Sequence, residues 1–187
     1  MQNISFRDEK YCLLLDNISE KLFKGEIKMR STAEFNTLAK KYMDSIFRLA
    51  FSYLKSHADA DDVMQNVLLS LYRSDHTFDS DEHLKNWLFK CTLNECRKIW
   101  RRPIRNHENI EDYAERLYFE EKSHQDLFAA ILKLDKARRL TIVLHYIEGY
   151  SIREIAEIMA VPPGTVGTRL ASARAKLKQY LKEEESI

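Results

Sequence analysis

The most constraining stretch lies near the carboxy end, Ser151-Ile152-Arg153-Glu154-Ile155-Ala156-Glu157-Ile158-Met159-Ala160-Val161-Pro162-Pro163-Gly164-Thr165-Val166. Ser151 followed three residues later by Glu154 is a capping box, in which each side chain satisfies an orphan N–H at a helix start. Pro162 and Pro163 cannot continue that helix, whereas Pro163 suits the first turn of a new one. The second helix repeats Val166, Leu170, Ala173, Leu177 and Leu181 at steps of four and three, one apolar stripe. Thr165, Thr168, Arg169 and Ser172 fall off the stripe, on a surface that is short, polar and basic. A helix, a tight turn and a second helix of this kind are what a helix-turn-helix needs to lay a reading helix in the major groove. An ordinary helical hairpin whose charges are merely solvated fits the same pattern.

Only four Gly and three Pro in 187 residues argue for helices over a turn-rich β fold. The expectation is an all-α chain: two small helical domains joined by a linker, the carboxy-terminal one with the helix-turn-helix. No apolar run approaches the roughly 20 residues of a membrane span, and the amino end lacks a signal-peptide pattern, so a cytoplasmic chain without membrane insertion is expected. Cys12, Cys91 and Cys96 show no metal spacing and read as reduced thiols. There is no glycine-rich phosphate loop and no nucleophile arrangement. Neither catalysis, a cofactor nor a metal is expected.

A net charge of +1 hides an uneven distribution. Arg169, Arg174, Lys176, Lys178 and Lys182 follow Pro163 without an acid among them, and Arg97, Lys98, Arg101, Arg102 and Arg105 form a second basic cluster. Between them lie Glu108, Glu111, Asp112, Glu115, Glu120 and Glu121. Two basic modules on an acidic connector suggest two DNA-facing bodies.

Residues 1–32 form an extension with weak helical spacing in Tyr11, Leu14, Leu15, Ile18 and Leu22, then Gly25; no function is assigned to it, and Met29 is a second candidate start. Residues 33–102 form the first body. Phe35, Leu38, Tyr42, Ile46, Leu49, Ala50 and Tyr53 predict a core helix to about Leu54, broken by Lys55-Ser56-His57. Asp59-Ala60-Asp61-Asp62 then puts carboxylates where a helix macrodipole favours them, with Val63, Val67, Leu68 and Leu71 inward. After a polar loop from Arg73 to Asp81, a helix over about Glu82 to Arg102 carries Leu84, Trp87, Leu88, Cys91, Leu93 and Ile99 and ends in interleaved basic and aromatic residues, a surface suited to unpaired DNA. Trp87 and Trp100 also read as core residues. Residues 103–123 are the acidic linker and 124–187 the second body. There Leu127, Ile131 and Leu134 predict one helix, and Leu140, Ile142, Val143, Leu144 and Ile147 another, closing at Glu148-Gly149-Tyr150.

The order of Asp59-Ala60-Asp61-Asp62-Val63-Met64-Gln65, a loop, Trp87-Leu88 with Asn94 and Arg101-Arg102, a linker and the terminal helix-turn-helix resembles the extracytoplasmic-function (ECF) group of bacterial RNA polymerase sigma factors, over roughly Ala33 to Leu181. The resemblance implies a first body like region 2, which binds the clamp helices of the largest subunit of core polymerase and opens the −10 promoter element. Asp61, Asp62, Gln65, Asn66 and Leu69 are then the expected polymerase contacts, although the same acids also stabilise a helix start. The loop from Ser74 to Lys85 would capture a flipped −10 base, which costs a few kcal/mol to unstack. Asn86, Lys90, Asn94, Arg97, Arg101 and Arg102 would supply hydrogen bonds and phosphate neutralisation. The second body resembles region 4, with Thr165, Thr168, Arg169 and Ser172 reading −35 duplex and Arg174 and Lys176 on phosphates. Promoter DNA and an anti-sigma factor complete the implied partners. The chain departs from the family at Gly167 and Lys98, where a basic and an acidic residue are common, at Ala160, where the turn usually has Gly, and in its second proline, Pro163. A stand-alone helix-turn-helix regulator, or a protein that sequesters a partner on helical surfaces, are the rival readings.

Overall fold

The structure, a computed structural model, describes residues 32–74, 76–101 and 122–184. The extension with Cys12, residue Arg102 and nearly all of the acidic connector, Arg105 included, lie outside the described residues. Among the described residues there are seven α-helices and no strands: α1 (Thr32–Leu54), α2 (His57–Arg73), α3 (Asp81–Trp100), α4 (Lys122–Lys133), α5 (Lys136–Ile142), α6 (Ile152–Met159) and α7 (Pro163–Glu184). A π-helical turn over Val143–Ile147 extends α5.

The first body is α1 to α3, each helix packed on the other two. In α1 the apolar stripe from Phe35 to Tyr53 is buried except for the half-buried Leu38, and near the carboxy end Leu49, Ala50, Phe51, Ser52, Tyr53 and Leu54 are buried on all sides. A helix buried all round has neighbours on more than one face, and here the far side of α1 meets α5 and the π turn. The helix stops at Lys55, which takes a left-handed φ of 55°. Ser56 then caps α2, its hydroxyl accepting the Asp59 N–H at 3.2 Å. The break is therefore itself the cap, and α2 begins before the acidic run, so that only Asp59 of its carboxylates sits in the first turn. Ser80 caps α3 in the same way through the His83 N–H, and α3 ends at Trp100, slightly short of the expected Arg102.

The second body is α4 to α7, with α7 packed across α4, α5 and α6. The capping box is formed in full: Glu154 N–H donates to Ser151 Oγ at 3.4 Å and Ser151 N–H to Glu154 Oε2 at 2.8 Å. Val166, Leu170 and Ala173 of the stripe are buried, while Leu177 and Leu181 are half-buried. The helix predicted through Ile147 changes pitch before its end: Glu148 N–H reaches back five residues to Val143 O, and Gly149 turns the chain with a φ of 80°. That wider turn swings Glu148 against the first body.

Ala160, the residue between α6 and the prolines, is exposed and left-handed at φ 55° and ψ 52°. A Cβ in that region costs energy that glycine avoids. Ala160→Gly is therefore expected to raise stability by roughly 0.5–1 kcal/mol after glycine's greater unfolded-state freedom is offset. A thermal melt reads this as a rise of a few degrees, and an unchanged or lower midpoint contradicts the strain.

The two bodies share one continuous core. Polar groups close it. Glu148 is nearly sealed, and its Oε1 accepts Arg48 Nη2 at 2.9 Å and Nε at 3.2 Å. Lys85 Nζ donates to the Glu148 backbone oxygen at 2.8 Å, 3.4 Å from its Oε2. Burial raises the neighbouring Asp44 carboxyl above its ordinary value, with Arg48 opposing and Glu148 adding. On the other side of α1, Lys136 Nζ lies 3.8 Å from the centre of the Trp100 ring and 4.3 Å from that of Tyr53, both from the first body.

Candidate nucleic-acid interface

Three polar surfaces lie on three helices. The first is the outer side of α7. Its apolar stripe turns inward and leaves Thr168, Arg174 and Lys176 exposed, with Thr165, Arg169 and Ser172 half-buried. Thr168 Oγ1 donates to Gly164 O at 2.9 Å, so its remaining lone pairs point outward as an acceptor. Gly164, Thr165, Thr168, Arg169 and Ser172 line a shallow groove of about 400 Å³, whose sixth wall residue is Arg138 from α5. Arg174 Nη1 is bonded to Tyr146 Oη at 3.4 Å, which ties it to the rim of the π turn. Arg138 was not among the residues expected from sequence. Its backbone N–H takes the Asp135 cap of α5, whereas its tie to the groove is a bond to Ser172 on α7.

The second surface is a stripe along α3. Asn86, Lys90, Asn94, Arg97 and Arg101 recur at steps of four, four, three and four, which places them on one side of the helix. Lys90, Asn94 and Arg101 are exposed, and Arg97 is oriented by Asn94 Oδ1 at 2.8 Å. That bond occupies the Asn94 carbonyl and leaves its amide donors outward. Asn86 is the exception: its Oδ1 is buried with no hydrogen-bond partner among the described residues. The loop before α3 is not merely polar. His76 and Phe78 meet Trp87 at ring separations of 6.1 and 5.5 Å, and Phe78 meets His83 at 5.5 Å. This aromatic cluster, which sequence reading missed apart from Trp87, fixes the loop beside the basic stripe. Trp87 is half-buried in it, so core packing and surface are both served.

The third surface is the outer side of α2. Asp62 and Asn66 are exposed there, with Gln65 and Leu69 half-buried. Asp61 has a partner, its Oδ2 lying 3.0 Å from His57 Nδ1. One turn before Gln65 on the same helix, it lies beside the other four residues expected to act together.

The cysteines join none of these surfaces. Burial raises the thiols of both Cys91, up to about 11, and Cys96, which keeps them protonated, as expected of small core side chains. Among the described residues no group of His, Cys, Asp and Glu is arranged to hold a metal ion, and no helix is long and apolar enough to cross a membrane.

These features define an all-helical DNA-binding protein of the helix-turn-helix kind. Two family models match the two bodies: Sigma-70 region 2 over residues 38–106 and Sigma-70 region 4 over residues 124–177. The chain is 30% identical over 151 residues to the ECF RNA polymerase sigma factor SigM of Mycobacterium tuberculosis, covering 79% of this chain and 76% of the relative. It is also 30% identical over 173 residues to the ECF RNA polymerase sigma-E factor of Escherichia coli, covering 83% and 87%. Among solved structures, CnrH in complex with the cytosolic domain of CnrY superposes with a TM-score of 0.60 at 25% identity, over 91% of this chain and 96% of that one. The sigma factor RpoE in complex with the anti-sigma factor NepR from Bartonella quintana shares the fold, with a TM-score of 0.62 at 24% identity over 80% and 97%. The chain belongs to the ECF family of RNA polymerase sigma factors.

Proposed function

We propose that the three surfaces divide the work of initiation: the outer side of α2 docks on the clamp helices of core polymerase, the α3 stripe and its aromatic loop take the unwound −10 strand, and the α7 groove reads −35 duplex. The observation that carries this reading is the segregation of chemistry. The α2 side offers acid, amides and a leucine, suited to a protein surface with basic groups. The α3 side joins guanidinium, ammonium and amide groups to a nearby ring cluster, which serves phosphates and unstacked bases. The α7 side carries hydroxyls with Arg169, Arg174 and Lys176 on a helix that fits the major groove.

On this division the module boundaries are 33–102 for region 2 and 124–187 for region 4, with residues 103–123 as the connector. The protein performs no chemistry of its own; it works in the cytoplasm, lending promoter choice to the polymerase. The neighbouring RpoE structure holds the anti-sigma factor NepR, and a partner of that kind suits this chain too. Tyr146, Ile147 and Ile152 leave apolar surface open beside the helix-turn-helix, ground on which a helical inhibitor would settle.

Leu69→Asp tests the α2 assignment, because it places a like charge and a desolvated carboxylate at the centre of the docking side. Binding of the full chain to core polymerase is expected to weaken at least tenfold, roughly the 1.4 kcal/mol or more of a disrupted interface residue. The thermal midpoint should stay near that of the unsubstituted chain. Undiminished assembly with core would place the polymerase contact elsewhere.

A further inference from the structure

The first half of α7 is poor in cations. Of the residues lining its groove from α7 itself, Arg169 alone carries a charge, and Gly167 between Val166 and Thr168 has no side chain to offer. The sixth wall residue changes that balance, and it comes from another helix.

Arg138 is held from two sides. Its Nε donates to Ser172 Oγ of α7 at 2.8 Å, and its Nη1 donates to Asp135 Oδ2. Burial works against the Asp135 charge, yet the hydrogen bonds from the Arg138 side chain and backbone hold that carboxyl below its ordinary value. The anchor is therefore ionised at neutral pH. A guanidinium has five N–H donors in a fixed plane, and these two bonds use two of them. The side chain is 34% exposed and borders the groove with Thr165, Thr168 and Arg169. An arginine whose plane is fixed before binding loses little freedom when it meets an anion, and its paired N–H groups match two phosphate oxygens.

We propose that Arg138 is a phosphate clamp of the −35 interface: from outside the reading helix it grips the DNA backbone at the groove edge, beside Thr165, Thr168 and Ser172. The proposal rests on the reading of α7 as the −35 helix. Its place fits that role, because α5 packs against α7 and a cation at the edge of a reading groove can fix the duplex through its phosphates without reading a base. Ser172 gains a second duty as well. Its oxygen orients the guanidinium, and its own hydroxyl hydrogen remains a donor for the DNA.

The test uses holoenzyme assembled from core polymerase and the full chain, with binding to a selected promoter and to its −35-scrambled form measured at several salt concentrations. Arg138→Ala is expected to lower affinity roughly tenfold on both templates, the loss of one charge-assisted contact. It should also make the slope of log affinity against log salt shallower by about 0.9, one phosphate released. Arg138→Lys should keep that slope and recover part of the affinity, since it retains the charge without the fork. An unchanged slope in Arg138→Ala would make the residue a strut between α5 and α7 and overturn the proposal. A changed ranking of −35 sequences would make it a base reader and overturn it equally. If the unsubstituted holoenzyme shows no preference between the templates, the assignment of α7 falls first, an outcome separable from the other two.

Discussion

Arg139→Met is expected to destabilise the protein by roughly 3–5 kcal/mol, the range for stripping a buried charge network of its central partner. Arg139 is 3% exposed and its Nε donates to Ser52 O near the end of α1. Its Nη1 donates to Leu132 O at 3.2 Å and Leu134 O at 2.7 Å, at the end of α4. Helix carboxy ends leave carbonyls without intrahelical partners and carry partial negative charge. One guanidinium thus serves the ends of two helices that belong to different bodies. Burial pushes its pKa down to about 10, against the pull of Asp135, and it stays charged at neutral pH. Methionine fills much of the same volume but leaves three buried carbonyls unsatisfied. In a chain of this size the loss reads as a fall in thermal midpoint of about 10 °C. A fall of only one or two degrees would show that water or neighbouring donors replace the guanidinium, and that the junction is looser than its geometry.

Arg169→Ala is expected to have the largest effect on promoter choice. A bidentate arginine–guanine contact discriminates by about 1–3 kcal/mol, so removing it should shrink the preference among −35 duplexes by roughly 10- to 100-fold. Arg169 is half-buried at the groove wall, flanked by Thr165, Thr168 and Ser172, where its reach is constrained. Affinity for scrambled duplex should change only about threefold, the share of one backbone charge. A uniform loss on all duplexes would make Arg169 a second phosphate contact. Set beside Arg138→Ala, the two substitutions should separate cleanly: one flattens the ranking, the other lowers every member of it. Both comparisons require a fixed, stated salt concentration.

Most of the helices were legible because their signals are local. The Ser151–Glu154 box, the paired prolines and the stripe from Val166 to Leu181 each act within a few residues, and α6 and α7 follow them. The core of α1 followed equally from its spacing. Less legible was the start of α2, because Ser56 reads as part of a break until its hydroxyl is seen on the Asp59 N–H. The junction between the bodies was not legible at all. Nothing in the spacing of Arg48, Lys85, Lys136 and Glu148 marks their contacts, and the bonds between the bodies span up to 100 positions along the chain. No periodicity reports a contact at that separation.

The candidate surfaces divide in the same way. The α7 positions emerged from residue type and helical step, and the α3 residues Lys90, Asn94, Arg97 and Arg101 from the family resemblance; both sets lie on the outer sides of their helices. Arg102 lies outside the described residues. Asp61 shows what residue type alone misses, since it has a partner in His57 one turn earlier. Arg138 and the rings of His76, Phe78 and His83 were missed because each matters through a neighbour on another element.

The shared core has a mechanical consequence. With Glu148 held by Arg48 and Lys85, and Arg139 joined to Ser52, the two DNA-facing bodies sit in one fixed relation. A junction of this kind holds the α3 stripe and the α7 groove at one spacing. The charges that close it are largely removed from water, and parting them trades protein hydrogen bonds for hydration.

The most direct measurement is transcription in vitro with purified core polymerase and this chain on genomic templates. The account predicts discrete transcripts from a small set of promoters, absent with core alone, lost when either the −10 or the −35 element is scrambled, and reduced in Arg169→Ala. Stable assembly with core but no promoter-specific transcript, or transcripts indifferent to both elements, would contradict it.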